Sequence, residues 1–347
     1  MSQLPVDCLS EIFEYLKDDK ITLHSCILVN RLWCKVSVRI SWRDVYDYSS
    51  SNFNTLIACL PNESKEILYK NEIIISTPTL KTPIFNYASF CKVLSVNRAH
   101  YKIEKLLENQ QNNSSSSFND KVHIVTQEIF KMFMKEISSL KSLVFLLYSN
   151  ITFNLFPGVQ ICYNIQSFTL EAEEIVSNGL ADLISVQRNL KYFNMTLCYD
   201  LDNNSLTSII PSIMLKLPNT LAKLELSGAD YCIPLSFIAN FSNLQELKLS
   251  FERNENYNNF ENCKNLESIK IWCRGKFLNE KEALETAVKY SQNIYELILY
   301  HLFDVRFELL PEDLDTYLKN IEIINKYIKL GVIKKFKVRD FEDEEYN

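Results

Sequence analysis

One apolar pattern recurs down most of this chain and limits what it can fold into. An apolar residue is followed by two variable positions, a second apolar residue, one variable position and a third apolar residue. The copies are LKSLVFL from Leu140, IQSFTL from Ile165, LKYFNM from Leu190, LAKLEL from Leu221, LQELKL from Leu244, LESIKI from Leu266 and IYELIL from Ile294, with IKKFKV from Ile333 as a last one. Successive starts from 140 to 294 lie 25, 25, 31, 23, 22 and 28 residues apart. Period-two alternation makes each copy a short strand with its apolar positions on one face. In five copies an Asn stands just before the first apolar residue, at Asn164, Asn189, Asn243, Asn265 and Asn293. Helical patterns lie between the strands, in EEIVSNGLADLISV, in NNSLTSIIPSIMLKL with Pro211 at a kink or start, and in Asn279 to Asn293. A final helix is predicted from Pro311 to Leu330, stopped by Gly331. The expected fold class is α/β, a parallel β-sheet with helices on its convex side.

Glycine supplies the strongest exclusion. The chain has only five, Gly158, Gly179, Gly228, Gly275 and Gly331. Phosphate-cradling loops and the G-x-S-x-G elbow need glycines clustered within about six residues, so neither is present. Ten cysteines include no C-x-x-C pair, and His24, His100, His123 and His301 are isolated in sequence. Neither a zinc site nor a disulfide framework is expected, and the cysteines read as small buried hydrophobes. No cofactor and no catalytic constellation is expected, so the chain does not read as an enzyme; His123 and His301 are the sole weak candidates. A net charge of -6 argues against a nucleic-acid binder, which needs a basic face. The longest apolar run, Leu143 to Tyr148, is too short for a bilayer, so no membrane partner is expected. The opening residues carry no secretory signal, and a cytoplasmic or nuclear location follows as an expectation.

The first 45 residues are of a different kind. In LPVDCLSEIFEYL, residues Val6, Leu9, Ile12, Phe13 and Leu16 fall on one helical face, while Asp7, Glu11 and Glu14 lie on the other. Pro5 suits a first helical turn. Thr22 is expected to cap a second helix from Leu23 to Val29, and Asn30 a third from Arg31 to Val38. Three short helices are too small to bury Leu4, Ile12, Phe13, Leu16, Leu23, Val29, Trp33 and Trp42 alone, so the stripe requires a partner surface.

This stretch resembles the F-box. Leu4-Pro5, the Ile12-Phe13-Tyr15-Leu16 helix, Val29 to Trp33 and the final Trp42 fill the family's places in order, over about 40 residues. Asp7-Cys8 departs mildly from the family's acidic-aliphatic pair. The resemblance implies docking on a Skp-family adaptor and, through it, a cullin of an SCF-type ubiquitin ligase. The adaptor-binding residues it implies are Leu4, Pro5, Leu9, Ile12, Phe13, Leu16, Leu23, Val29 and Trp33.

The remaining copies resemble the degenerate leucine-rich repeats found beside F-boxes, in the variant with Cys ahead of the strand, as at Cys162 and Cys263. The usual ladder at the eighth position is largely missing, so an irregular solenoid is implied. The expected organisation is a short three-helix module over 1-45, then a solenoid over 46-347. The solenoid would carry a polar, exposed loop near 109-120 and an acidic, solvated tail from Asp340 through Glu342 to Glu345. NEIIIST from Asn71 and CKVLSVN from Cys91 read as early strands of the same sheet. Within each copy, the second, fourth and sixth positions after the first apolar residue face outward. They put Lys248, Lys270, Trp272 and Tyr300 together as a basic-aromatic patch for an unknown protein client, with Glu225 placed to neutralise Lys248. Under the alternative reading, the chain is a leucine-rich-repeat scaffold without ligase attachment, its helical trio merely capping the solenoid.

Overall fold

A computed structural model of the chain describes residues 4–75, 83–110, 117–137, 140–147, 164–172, 178–197, 213–228, 235–251, 263–273, 295–301, 325 and 335–340. It is a mixed α/β structure with two compact units, one over 1–145 and 151–165, the other over 146–150 and 166–347.

The first unit opens with three helices: α1 (Val6–Glu14), α2 (Lys20–Ile27) and α3 (Arg31–Ser41). Pro5 precedes α1, and its carbonyl accepts the Leu9 N–H at 3.0 Å. Asn30 caps α3 as expected, its Oδ1 accepting the Leu32 and Trp33 N–H groups at 2.9 Å each. For α2 the cap is Asp19, not Thr22. The Asp19 carboxylate accepts the Thr22 N–H at 3.0 Å and the Thr22 hydroxyl at 2.6 Å. An ionised acceptor makes the stronger hydrogen bond, so Asp19 draws the helix start three residues upstream and Thr22 becomes part of the first turn.

Beyond the trio come α4 (Ser50–Cys59), α5 (Asn62–Lys70), β1 (Val93–Ser95), α6 (Val96–Gln110), α7 (Ser117–Glu136) and β2 (Ser142–Leu147). Strand β1 runs parallel to β2, with Leu94 opposite Leu143, so the CKVLSVN expectation holds. NEIIIST is different: residues 71–75 are turn and coil, and residues 76–77 lie outside the described ones. The chain cannot start a strand there because α5 ends in a Schellman motif. Glu72 takes a left-handed φ of 56°, the Ile73 N–H reaches back to the Leu68 carbonyl at 2.9 Å, and the Glu72 N–H to that of Tyr69 at 3.0 Å. The polar run is also corrected at its ends. Residues 109–110 finish α6 and 117–120 begin α7, while 111–116 lie outside the described residues. Helices α6 and α7 pack together, and their Ile103, Leu107, Val125, Ile129 and Phe133 are all nearly inaccessible. Their 3.6-residue period was available in the sequence but is obscured by the serines between them. Residues 46–145, read from sequence as the start of the repeat region, thus belong to one compact unit with the N-terminal helices.

The second unit is built on parallel strands β3 (Ser167–Ala172), β4 (Tyr192–Leu197), β5 (Lys223–Gly228), β6 (Glu246–Phe251), β7 (Ser268–Cys273), β8 (Glu296–His301) and β9 (Lys335–Asp340). Each pairs with the next in chain order. Every copy read from Leu140 onward contains a strand. The apolar positions face inward: Phe168, Phe193, Leu224, Leu247, Ile269 and Leu297 are at most 1% exposed, and Phe168 stacks on Phe193 at 5.8 Å. Helix α8 (Asn178–Ser185) and helical residues 213–216 lie on the return path, contributing buried Leu183, Ile184 and Ile213.

The recurring Asn also acquires a reason. The Asn265 amide donates to the Ser242 carbonyl at 2.9 Å and the Asn243 amide to the Asn219 carbonyl at 2.8 Å. These bonds tie each turn to the preceding one and satisfy carbonyls that the strand ladder does not use. Cys263 is fully buried, its thiol donating to the Ile238 carbonyl at 3.3 Å, in keeping with its packing role. Burial pushes its pKa up to about 11, so it stays a neutral thiol. Pro211, Cys162, Cys198, Asn293, the helix over 279–293 and Glu342 to Glu345 lie outside the described residues, as does the predicted 311–330 helix apart from residue 325, which is helical.

Candidate functional site

The helical trio has its own small core. Leu9, Phe13, Leu23, Cys26, Val36 and Ile40 close on one another, with Leu16, Leu32 and Trp33 packed around them. Phe13 meets Trp33 edge-on at 5.1 Å. The residues expected at an adaptor therefore separate into two groups. Leu9, Phe13 and Leu23 are 2%, 2% and 0% exposed and have no surface left to offer. Leu16 and Trp33 are partly buried in the same cluster. Leu4, Pro5, Ile12 and Val29 are exposed, with Leu4 at 53% and Ile12 at 47%.

Four further apolar residues join this exposed set: Val6, Tyr15, Ile21 and Leu28. Sequence reasoning counted Val6 in the stripe and Tyr15 in the family's first helix, but passed over Ile21 and Leu28. Of the fourteen exposed large hydrophobics among the described residues, seven fall between residues 4 and 29. Apolar side chains scattered singly on a surface need no explanation, but half of them within one short segment set that segment apart from the rest of the described surface.

Residues 1–48 match the F-box-like family. No curated protein matches the chain. The F-box-like segment ends at Tyr48, which is buried and donates its hydroxyl to the Trp42 carbonyl at 2.7 Å. Burial holds that phenol well above its ordinary pKa. Trp42 lies between Tyr48 and Tyr87, at ring distances of 5.1 and 4.3 Å, and so fastens the segment to the rest of the first unit. Arg43 does the same through charge. Its guanidinium forms a two-pronged pair with the Glu14 carboxylate, Nη1 to Oε2 at 2.7 Å, and its carbonyl accepts the Lys92 and Val93 N–H groups at 2.7 and 3.1 Å. The Arg43 hydrogen bond holds Glu14 below the ordinary carboxylate value, and the same bond raises Arg43. Burial, followed by repulsion from Arg43, lowers Lys92. The C-terminal turn of α1 is thus fixed to the end of α3 and to β1, while its exposed flank stays open.

The second candidate surface lies on the sheet. Register sets Lys248 opposite Lys270 and Trp272 opposite Tyr300, so the four predicted patch residues fall on adjacent strands. Glu225 stands opposite Lys248, but its carboxylate also takes Lys223 at 2.9 Å. Ile298, expected outward between the lysine and aromatic positions, is 4% exposed.

No group of three His, Cys, Asp or Glu that could hold a metal occurs among the described residues, and no described helix is long and apolar enough to cross a membrane. His100 is held to a pKa of about 4 by burial and then by His123, and its Nδ1 lies 3.2 Å from the Thr126 hydroxyl. Sequence spacing gave no sign of this approach of two histidines, because α6 and α7 bring it about.

Proposed function

We propose that this chain is the substrate-recognition subunit of an SCF-type ubiquitin ligase. Its F-box-like segment would dock a Skp-family adaptor, and through it a cullin, while a leucine-rich-repeat-like solenoid built on the parallel strands β3 to β9 holds a protein client. The observation that carries the first half is the exposed apolar set around Leu4, Ile12 and Val29, on a module that already has a core of its own. The solenoid reading is supported by parallel strands in chain order, by their buried apolar positions and by the amide ties between successive turns.

The mechanism is proximity. A bound client's lysines are raised in effective concentration near the ubiquitin carrier, so this chain contributes binding and orientation and no catalytic residue or cofactor. Such a complex works in the cytoplasm or nucleus.

Adaptor capture by the full-length chain tests the reading. Leu4→Ala with Ile12→Asp alters two exposed positions, so the fold should persist while capture is lost. Capture that survives both changes, or is absent from the unaltered chain, refutes the docking half. The chain would then be a repeat scaffold whose helical trio acts as a cap, a reading favoured by the packing of Trp42 on Tyr87.

A further inference from the structure

At three places on the second unit's sheet, outward charges of opposite sign face one another on neighbouring strands. Lys223 faces Glu246, Glu225 faces Lys248 and Glu296 faces Lys335. Lys223 pairs with Glu246 at 3.4 Å as well as with Glu225, and Glu296 pairs with Lys335. Lys248 and Lys270 depart from this by standing directly opposite one another. Like charges at facing positions cost stability, and departures of this kind concentrate at functional sites.

The exception extends across β8 to β9. Ile298 faces Lys337, and Tyr300 faces both Trp272 and Arg339. Counting the fourth and sixth positions of the copies on β6 to β9, the sequence places four cations and two aromatics there and no carboxylate, in a chain whose net charge is -6. With strands about 4.8 Å apart, the four span roughly 15 Å, which about five residues of extended peptide can cross. At physiological salt, screening acts over about 8 Å, so neighbouring members of the group act on a ligand together. Ile298, between the Lys270 and Lys337 positions, is almost inaccessible and adds no apolar area to the face.

We propose that this face of β6 to β9 binds an acidic, Asp/Glu-rich segment of a protein partner, with carboxylates meeting Lys248 and Lys270 and then the Lys337 and Arg339 positions. The partner's role as a client rests on the ligase reading above, but the binding itself does not. A protein segment suits the site better than a nucleic acid. Glu225, Glu246 and Glu296 border the cations and oppose a continuous phosphate backbone, whereas side-chain carboxylates can be spaced to avoid them.

Fluorescence anisotropy of the full-length chain tests this, with a fluorescein-labelled Asp/Glu decapeptide, its Lys counterpart and a single-stranded oligonucleotide as probes. The acidic peptide should bind saturably and several-fold more weakly at high salt, and the Lys peptide should not bind. Lys248→Gln with Lys270→Gln should weaken the acidic peptide at least tenfold while changing the melting temperature little, since relief of the like-charge pair offsets loss of the match between Lys248 and Glu225. Lys270→Gln alone should lie between. Absent binding, binding indifferent to both lysines, or preference for the oligonucleotide would overturn the proposal. So would binding that emerges only after deletion of residues 341–347, which would assign the face to the chain's own Glu342 to Glu345. The Leu4→Ala, Ile12→Asp variant should bind the peptide normally. Peptide binding in a chain that never captures the adaptor would refute the ligase reading and leave this surface standing.

Discussion

The F-box-like trio and the parallel sheet treat apolar residues in opposite ways. On α1, Phe13 is 2% exposed while its neighbour Ile12 is 47% and Tyr15 89% exposed. On strands β3 to β8, the copies' apolar positions whose burial is described are buried, and polar ones alternate with them. Both segments have a high apolar content, so content alone does not separate a core from an exposed stripe. The difference lies in whether the same chain supplies a covering layer. The second unit buries Leu183, Ile184 and Ile213 as well as its strands' apolar positions, whereas the outward flank of α1 remains open.

Substitutions across the two regions test that contrast. The largest expected effect is in the sheet. Phe168→Ala removes a ring with no exposure, stacked on Phe193, and should cost about 3–5 kcal/mol in urea denaturation. A loss below about 1 kcal/mol would mean that the buried face is loosely packed. Within the trio, Phe13→Ala should cost nearly as much, about 3 kcal/mol, while Ile12→Ala one residue away should cost well under 1 kcal/mol. Equal effects by thermal melting would erase the inward and outward division of α1.

Arg43→Met breaks the pair with Glu14 and should cost on the order of 1 kcal/mol, a figure kept small because the Glu14 side chain is 42% exposed. The sign of its pH dependence follows from Glu14, whose folded pKa lies below the ordinary 4.5. The pair's stabilisation is complete above that ordinary value and is lost as pH falls through the depressed one. The difference in melting temperature between the native and Met forms should therefore be constant from pH 7 down to the ordinary value of 4.5 and close as the pH falls further. A difference that widens in acid would show that the Arg43–Glu14 pair is not its source. The smallest effect is expected from Asn265→Ala, which removes one exposed turn-to-turn bond and should cost about 0.5–1 kcal/mol, with faster amide exchange confined to the turns flanking β6 and β7. Uniform loss of protection would make the amide ties more central to the sheet than single bonds allow.

The sequence alone determined the strand positions, the inward face of each copy, the Asn30 cap and the lack of a glycine-rich phosphate loop. These are local properties. Period-two alternation names the buried face residue by residue, and a missing residue type cannot be restored by folding. Only the tertiary structure decided which flank of the α1 stripe faces inward, because a helical apolar arc of about 100° leaves its border residues undefined until another helix covers one side. It also decided the charged Asp19 cap over Thr22, the Schellman turn that ends α5 ahead of Ile73, and the joining of 46–145 to the N-terminal helices. The meeting of Lys248 with Lys270 belongs to the same class. Those residues are distant in sequence, and pairing between strands sets their register.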